Sequence, residues 1–443
     1  AKTGSANRAV LNFLAGLVLL AFVLRLITQC GYAPENRKNL SAGVAVFILA
    51  ACNTFSLIFV GMEHTLHVAA VAVLLSGLIE WMAGRGLPRS FWIAFFLAPL
   101  LRYEALAFNA LILFWFLWRR DWRALALGFA LLVVPQIIQS CYMQALGLPL
   151  LPTSILAKSD TIAFEYRGHD AMRLLVGTLY DFVMNLQDVG GLFALLFTGV
   201  FLVLAFRRRK EERMLALVVA GVTLAHLLFG RFAWFGRYNA YILLLNIMAL
   251  AWLLHLPRAK IAVKAAFWTM VCLAATNPLS YQSHIPLAAQ QVYQQPLQIG
   301  RFVKEYWRDT VVAHDVGAIS WLNQHDVADM LGLISEWARS YPERMPNGTS
   351  SDIFLNDLAT TYKADVAIMN NLVIGVYPPK NWIMVATLRL TETHIILPPT
   401  IEFYATSEKA VPRVMAAIRA WSSSLPADVL LGINQALLQP KEQ

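Results

Sequence analysis

The sequence predicts a mostly α protein: a polytopic membrane helix bundle followed by a C-terminal α/β domain outside the bilayer. Three observations predict it. Hydrophobic residues make up 58% of the 443-residue chain and the mean hydropathy is +0.55, against about 45–50% apolar in ordinary soluble chains. The excess is confined to residues 1–280, where apolar runs follow one another with short polar breaks. Charge divides at the same place. Residues 1–280 carry 24 Lys and Arg against 12 Asp and Glu, and residues 281–443 carry 12 against 15. The expected domains are therefore 1–280, in the membrane, and 281–443, beyond it. The pI of 9.4 belongs to membrane loops, where it sets topology, and nucleic acid is not expected as a partner.

Runs of about 20 apolar residues mark spans. They fall at about 9–28, 41–60, 64–83, 90–102, 103–118, 124–146, 190–206, 214–230, 239–256 and 262–280, ten in all. The fourth and fifth are short and are expected to form a hairpin turning at Leu101-Arg102-Tyr103-Glu104. Loops rich in Lys and Arg face the cytoplasm. One set of loops, including Arg119, Arg120, Arg123, Arg207, Arg208, Arg209 and Lys210, holds 15 such residues, and the other set, with the N-terminus, holds 8. The first set is expected in the cytoplasm. That places the C-terminal domain on the far side, in a bacterial periplasm or its equivalent. Residue 1 falls on that side too, with no preceding helix or signal segment to carry it across. The expectation is a chain that starts part-way through its protein, at least one span short.

The C-terminal segment reads as one α/β domain. Residues 311–317 resemble a buried strand running into a turn, 365–369 and 383–388 further strands, and 410–421 a helix. Cys30, Cys52, Cys141 and Cys272 are scattered in or beside apolar runs with no CxxC spacing, which predicts core packing and neither a disulfide nor a zinc site. Asn347-Gly348-Thr349 is a formal glycosylation sequon of a kind common by chance.

Ionisable residues at bilayer depth cost roughly 2.5–3.5 kcal/mol each on insertion scales and usually mark a functional site. On the outward side they come in four places. Gly61-Met62-Glu63-His64 opens the third span, where Glu63 is either a capping carboxylate or, with His64, part of a polar cavity. Arg102-Tyr103-Glu104 is either a snorkelling ion pair or an arginine facing phosphate with Glu104 fixing its orientation. Residues 147–190 form a 44-residue loop, far longer than usual. Within it Lys158 can meet a phosphate, Thr153 or Ser154 can donate hydrogen bonds, and 172–187 is expected as an amphipathic interfacial helix. Gly230 to Tyr238 places Arg231 and Arg237 where arginines are scarce. An aromatic belt explains Phe232, Trp234, Phe235 and Tyr238 but not the arginines, and Arg237 is the leading candidate for binding an anion.

In this order the stretches resemble the GT-C class of integral-membrane glycosyltransferases, above all the bacterial branch with the mycobacterial arabinofuranosyltransferases and related polyprenyl-phosphate-sugar transferases. The likeness rests on Gly61-Met62-Glu63, Leu101-Arg102-Tyr103-Glu104, residues 151–158 and Phe235-Gly236-Arg237-Tyr238. In the tail it rests on Asp315-Val316-Gly317-Ala318-Ile319 and Asp329-Met330-Leu331-Gly332-Leu333. It implies a GT-C fold and a periplasmic α/β cap. It also implies transfer of a sugar from a polyprenyl-phosphate donor to a glycan or lipid acceptor, at the outer face of a bacterial inner membrane and among membrane lipids. In that class an aspartate of the first outer loop is the general base, and basic residues hold the departing phosphate. That loop would precede residue 1. Two readings fit, a truncated transferase or a degenerate homologue.

The chemistry needs a base for the acceptor hydroxyl and cations for the leaving phosphate. Glu63, Glu104 and Asp160 are the candidate bases. The expected substrate-binding set is Glu63, His64, Arg102, Glu104, Lys158, Arg231, Arg237, Tyr238 and Asp315, with Asp315 either forming a turn or touching acceptor sugar. No cofactor is expected with certainty and metal dependence is open, since no carboxylate cluster of hard-ion type is visible. A lipid-linked-sugar transporter or flippase and a non-catalytic glycan-presenting subunit are the rival readings.

Overall fold

The computed structural model describes residues 2–31, 38–150, 171–208, 210–232, 234–344, 351–370, 377–392 and 399–434. The chain divides between Ser283 and His284 into a helical unit and a C-terminal unit. The helical unit contains α1 (Lys2–Gln29), α2 (Lys38–Ala51), α3 (Thr54–Val60), α4 (His64–Met82), α5 (Arg89–Leu101), α6 (Ala105–Trp118) and α7 (Trp122–Ala145). After the loop come α8 (Ala171–Leu186), α9 (Val189–Arg207), α10 (Lys210–Phe229), α11 (Ala240–Leu253), α12 (Ile261–Ala274) and α13 (Thr276–Ser283).

Among the described residues five helices are long and apolar enough to cross a membrane, or up to seven spans if two bent pairs each count as one. The pairs are α2 with α3, bent by 58°, and α12 with α13, bent by 43°. Helices α5, α6 and α11 are apolar but shorter, at 13, 14 and 14 residues. The hairpin turn does fall at Arg102 to Glu104, between α5 and α6. Inside it, Asn109 Nδ2 donates to Phe95 O at 2.6 Å, so the buried amide links the two helices.

Helix α4 lies at the centre, with 83% of its apolar window buried. It approaches α5 closely because Gly77 has no side chain: a Cβ there would lie 2.8 Å from Phe91 Cδ2. Small residues at crossings let apolar helices pack by dispersion where hydrophobicity gives no drive. Helix α8 has the inverse polarity of a soluble surface helix. Leu175, Leu179 and Val183 are exposed while Asp181 and Asn185 are buried. Asn185 Nδ2 donates to Leu227 O and Gly230 O, both at 2.9 Å. Gly191 completes this join, since a Cβ there would lie 1.9 Å from Asn185 O. Cys30 and Cys52 are buried, but Cys141 and Cys272 are exposed, which corrects the expectation that all four pack in the core. They face outward from apolar helices, where a thiol is as acceptable as a methyl group.

At the end of the bundle remote from the α5–α6 turn, the basic loops meet acids. Arg119 pairs with Glu211 at 3.4 Å and Arg208 with Glu212 at 3.2 Å, and Arg25 pairs with Glu80.

The C-terminal unit is built on six strands in the order β2-β1-β3-β5-β4-β6. They are β1 (Val311–Ala313), β2 (Val327–Asp329), β3 (Val366–Met369), β4 (Ile383–Leu390), β5 (Thr400–Ala405) and β6 (Val429–Ile433). The first three are parallel and the rest antiparallel. Alternation decides which layer each side chain joins. Val311, Ala313, Val366 and Ile368 pack with Phe302, Phe403 and Trp421, whereas Val312, Ala367 and Met369 pack with Leu355, Leu358 and Tyr404. Burial on both faces explains why β1 and β3 read as unbroken apolar runs. Strands β2, β5 and β6 were not foreseen, since their turns carry no Asn-Gly or Asp-Gly signal.

Asp329 ends β2 fully buried. Its Oδ1 accepts from Leu331 N at 2.8 Å and its Oδ2 from Ile334 N at 2.7 Å. Asp329→Ala leaves these N–H groups without their acceptor, an expected loss of about 3 kcal/mol. Denaturant unfolding and faster hydrogen exchange at Leu331 and Ile334 measure it. Unchanged exchange at both amides would contradict that role.

Candidate functional site

The site is assembled from helix ends. Gly61, at φ +70°, turns the chain from α3 into α4. Glu63 then occupies the N-cap position, but its side chain makes no capping bond. It accepts instead from Arg102 Nη1 at 2.8 Å. Glu104 takes the side edge of the same guanidinium, with Nε at 3.2 Å and Nη2 at 2.5 Å. His64 Nε2 lies 3.3 Å from Arg102 Nη1. A guanidinium only donates, so that contact makes His64 Nε2 the acceptor. Of Arg102's five N–H groups, four point at these partners, and its plane lies 4.9 Å from the centroid of the Tyr238 ring.

Arg237 arrives from the turn between α10 and α11. Trp234, Phe235 and Gly236 all have positive φ, at 57°, 66° and 65°. For the two non-glycine residues this costs about 1–2 kcal/mol each. Asn53 Nδ2 holds the turn by donating to Phe235 O at 2.7 Å, and Tyr281 packs on the Phe235 ring at 5.0 Å. The result sets Arg237 Nη1 3.3 Å from Met62 Sδ and Nη2 3.1 Å from Tyr238 Oη. Tyr238 is thus flanked by two guanidiniums, the second 5.0 Å from its centroid. Arg237 Nε is buried with no acceptor. Among the described residues Arg237 has no carboxylate partner.

Beneath this layer lies a buried aromatic floor. The His67 and Tyr241 rings are 4.5 Å apart, and Tyr241 Oη lies 3.1 Å from His226 Nδ1. The Nε2 atoms of His67 and His226 have no partner. Neither Tyr241 nor His226 is among the candidates the sequence offers. Histidine in the last turn of an apolar span, as at His226, was the signal available.

The structure therefore brings Glu63, His64, Arg102, Glu104, Arg237 and Tyr238 together. Arg231 does not join them. Its Nη2 lies 4.0 Å from the buried Asp181 on α8. Lys158 and Asp160, with Thr153 and Ser154, lie outside the described residues, as does the Asn347 sequon. Most of the donors of Arg102 are directed at Glu63, Glu104 and His64. Both oxygens of Glu104 lie on Arg102. Glu63 keeps one oxygen clear. Among the described residues of this group, two arginines and two glutamates cancel formally, and Arg237 has more donors to spare than Arg102. Among the described residues no group of three or more His, Cys, Asp or Glu is placed to hold a metal.

Asp315 belongs to the C-terminal unit, exposed, with Oδ1 accepting from Gly317 N at 3.1 Å. This is the turn-forming arrangement. Beside it, burial pushes the His314 imidazole below its ordinary pKa. The unfolded chain gains a proton near the ordinary value of about 6.5, whereas the folded unit gains it only at lower pH. Stability from this residue is whole above that value and falls as pH drops through it. His314→Gln should flatten the fall in denaturant midpoint between about pH 7.5 and about pH 5.5, and an unchanged slope would contradict the assignment.

Over residues 284–407, most of the C-terminal unit and none of the helical one, the chain is similar to a family described as a domain of unknown function, DUF8728. Neither the curated proteins nor the solved structures contain a match to the chain.

Proposed function

We propose that the chain is a GT-C-type membrane glycosyltransferase with ten spans. In this reading it moves a sugar from a polyprenyl-phosphate donor to a glycan or lipid acceptor at the outer face of a bacterial inner membrane, with its C-terminal unit in the periplasm. The observation that carries the reading is Arg237, brought against Met62 and Tyr238 with most of its N–H groups uncommitted. An arginine fork suits phosphate oxygens, and a phosphate that gains charge as the glycosidic bond breaks is stabilised by donors already in position. The short helices support a recessed seat. A 13- or 14-residue helix rises about 20 Å against a hydrocarbon thickness of about 30 Å, so the Arg102 turn lies below the level that full spans reach. Of the described carboxylates Glu63 serves best as proton acceptor for the incoming hydroxyl, since it holds Arg102 through one oxygen and is 36% exposed.

A second reading, a lipid-linked-sugar transporter, draws on the two bent helix pairs, since broken helices are common in transporters. One experiment separates them. The full chain in liposomes is given polyprenyl-phosphate sugar and a panel of glycan and lipid acceptors. Glycosidic bond formation, lost in Arg237→Glu, supports the transferase. Movement of the donor between leaflets without bond formation supports the transporter. Donor binding with neither outcome leaves a glycan-presenting subunit.

A further inference from the structure

The turn that delivers Arg237 has a second side. Gly236 and Asn239 line a cleft together with Asp188, Asn246, Asn277 and Tyr281, and its remaining walls are mainly aromatic and aliphatic. We propose that this cleft is a sugar-hydroxyl subsite, gripping the edge of a neutral, hydroxyl-rich ring beside the Arg237 seat.

Four features support it. Asn246 sits in the middle of an apolar helix with no exposed surface. Thr223 Oγ1 lies 3.1 Å from Asn246 Oδ1 and 2.8 Å from Val219 O. A threonine hydroxyl donates once, so whichever way the amide is turned, one Asn246 heteroatom is left for the cleft. As placed, that atom is Nδ2, which has no partner. A buried amide group without a partner costs about 1–3 kcal/mol, so its retention calls for a ligand or water. Asn239 Oδ1 is likewise buried without a donor.

Third, among the described residues the lining holds no Lys or Arg, which disfavours an anion. It holds one carboxylate, Asp188, whose Oδ1 already caps α9 by accepting from Gly190 N at 2.7 Å, which is thin for a hard cation. Carboxamides and a single carboxylate beside aromatic walls match vicinal hydroxyls, which both donate and accept, on a ring with apolar faces. Fourth, the cleft is narrow, with room for roughly one or two water-sized groups. A ring therefore enters by its hydroxyl edge, with the rest over the open mouth.

The inference rests on the reading of Arg237 only for the neighbouring phosphate; the hydroxyl contacts stand without it. The source of the sugar is either the lipid-linked donor or the acceptor.

The test uses the full chain in nanodiscs with methyl pyranosides and furanosides bearing a diazirine. Photolabelling is expected within residues 186–194 or 236–246, competed by the unmodified glycoside. It should fall at least about fivefold in Asn246→Leu, equivalent to about 1 kcal/mol, and also in Asp188→Asn. Asn246→Leu keeps the branching and heavy-atom count of the side chain and leaves Thr223 bonded to Val219 O, and Asp188→Asn keeps a good N-cap residue. Competition by polyprenyl-phosphate sugar at lower concentration than by free glycoside assigns the hydroxyls to the donor, and equal or weaker competition assigns them to the acceptor; either supports the cleft. No labelling in these segments, or equal labelling of wild type and both variants, overturns it. Sugar-free polyprenyl phosphate, followed by its protection of residues 62–65 from hydrogen exchange, reports on the Arg237 seat separately.

Discussion

Arg102→Met is expected to lower the stability of the full chain by about 3 kcal/mol, the lower end of the range for breaking a buried ion pair. Arg102 is only 14% exposed and holds Glu63 and Glu104, which are 36% and 24% exposed. Removing it leaves two carboxylates without their shared cation at the start of α4, a helix buried over most of its length. The cost comes from the stranded acids, so the charge-free set Arg102→Met, Glu63→Gln, Glu104→Gln should recover most of the loss. Denaturant unfolding of the three chains in one detergent measures both effects. A triple variant no more stable than the single one would show that Arg102 acts through packing on Tyr238, with the ion pairs secondary. The same substitution should weaken phosphate binding less than any change at Arg237, because Arg102 has only one N–H to spare.

Arg237→Glu carries the largest expected functional effect. Charge-assisted hydrogen bonds to a phosphate are worth about 1.5–3 kcal/mol, so removing them alone weakens polyprenyl-phosphate binding about 10- to 100-fold, and the reversed charge adds repulsion. Arg237→Lys keeps the charge without the fork and should retain part of the affinity. In a transferase the catalytic rate should fall as well, since the charge on the phosphate grows as the sugar leaves. Stability should change little, because Arg237 has no described carboxylate to strand. Equal lipid-phosphate affinity in wild type, Arg237→Lys and Arg237→Glu would remove the ground for the proposed function.

Much of the fold was legible in particular residues. The apolar runs placed most helices of the first 283 residues within a few positions, and Leu101-Arg102-Tyr103-Glu104 marked the break between α5 and α6. Two runs hid breaks. Asn53, at φ 59°, separates α2 from α3, and Ala275 separates α12 from α13. The first break has no Gly or Pro at it, so pattern alone could not show it, whereas Pro278, which has no N–H to offer Ala274 O, was a legible signal for the second. Arg231 shows the limit for the site. Its sequence setting is nearly the same as that of Arg237, yet one meets Asp181 and the other meets Met62 and Tyr238.

What the sequence by itself determined was partition: which segments are apolar enough for a bilayer, which ends carry charge, and where the water-compatible domain begins. Partition depends on composition summed over some twenty residues, and composition is local to the chain. Only the tertiary structure decided pairing. Arg102 meets Glu63 from 39 positions away, and Arg237 meets Met62 from 175. Hydrogen bonds and ion pairs act over about 3–4 Å, and which groups come that close is set by helix crossings and strained turns spread over the whole bundle.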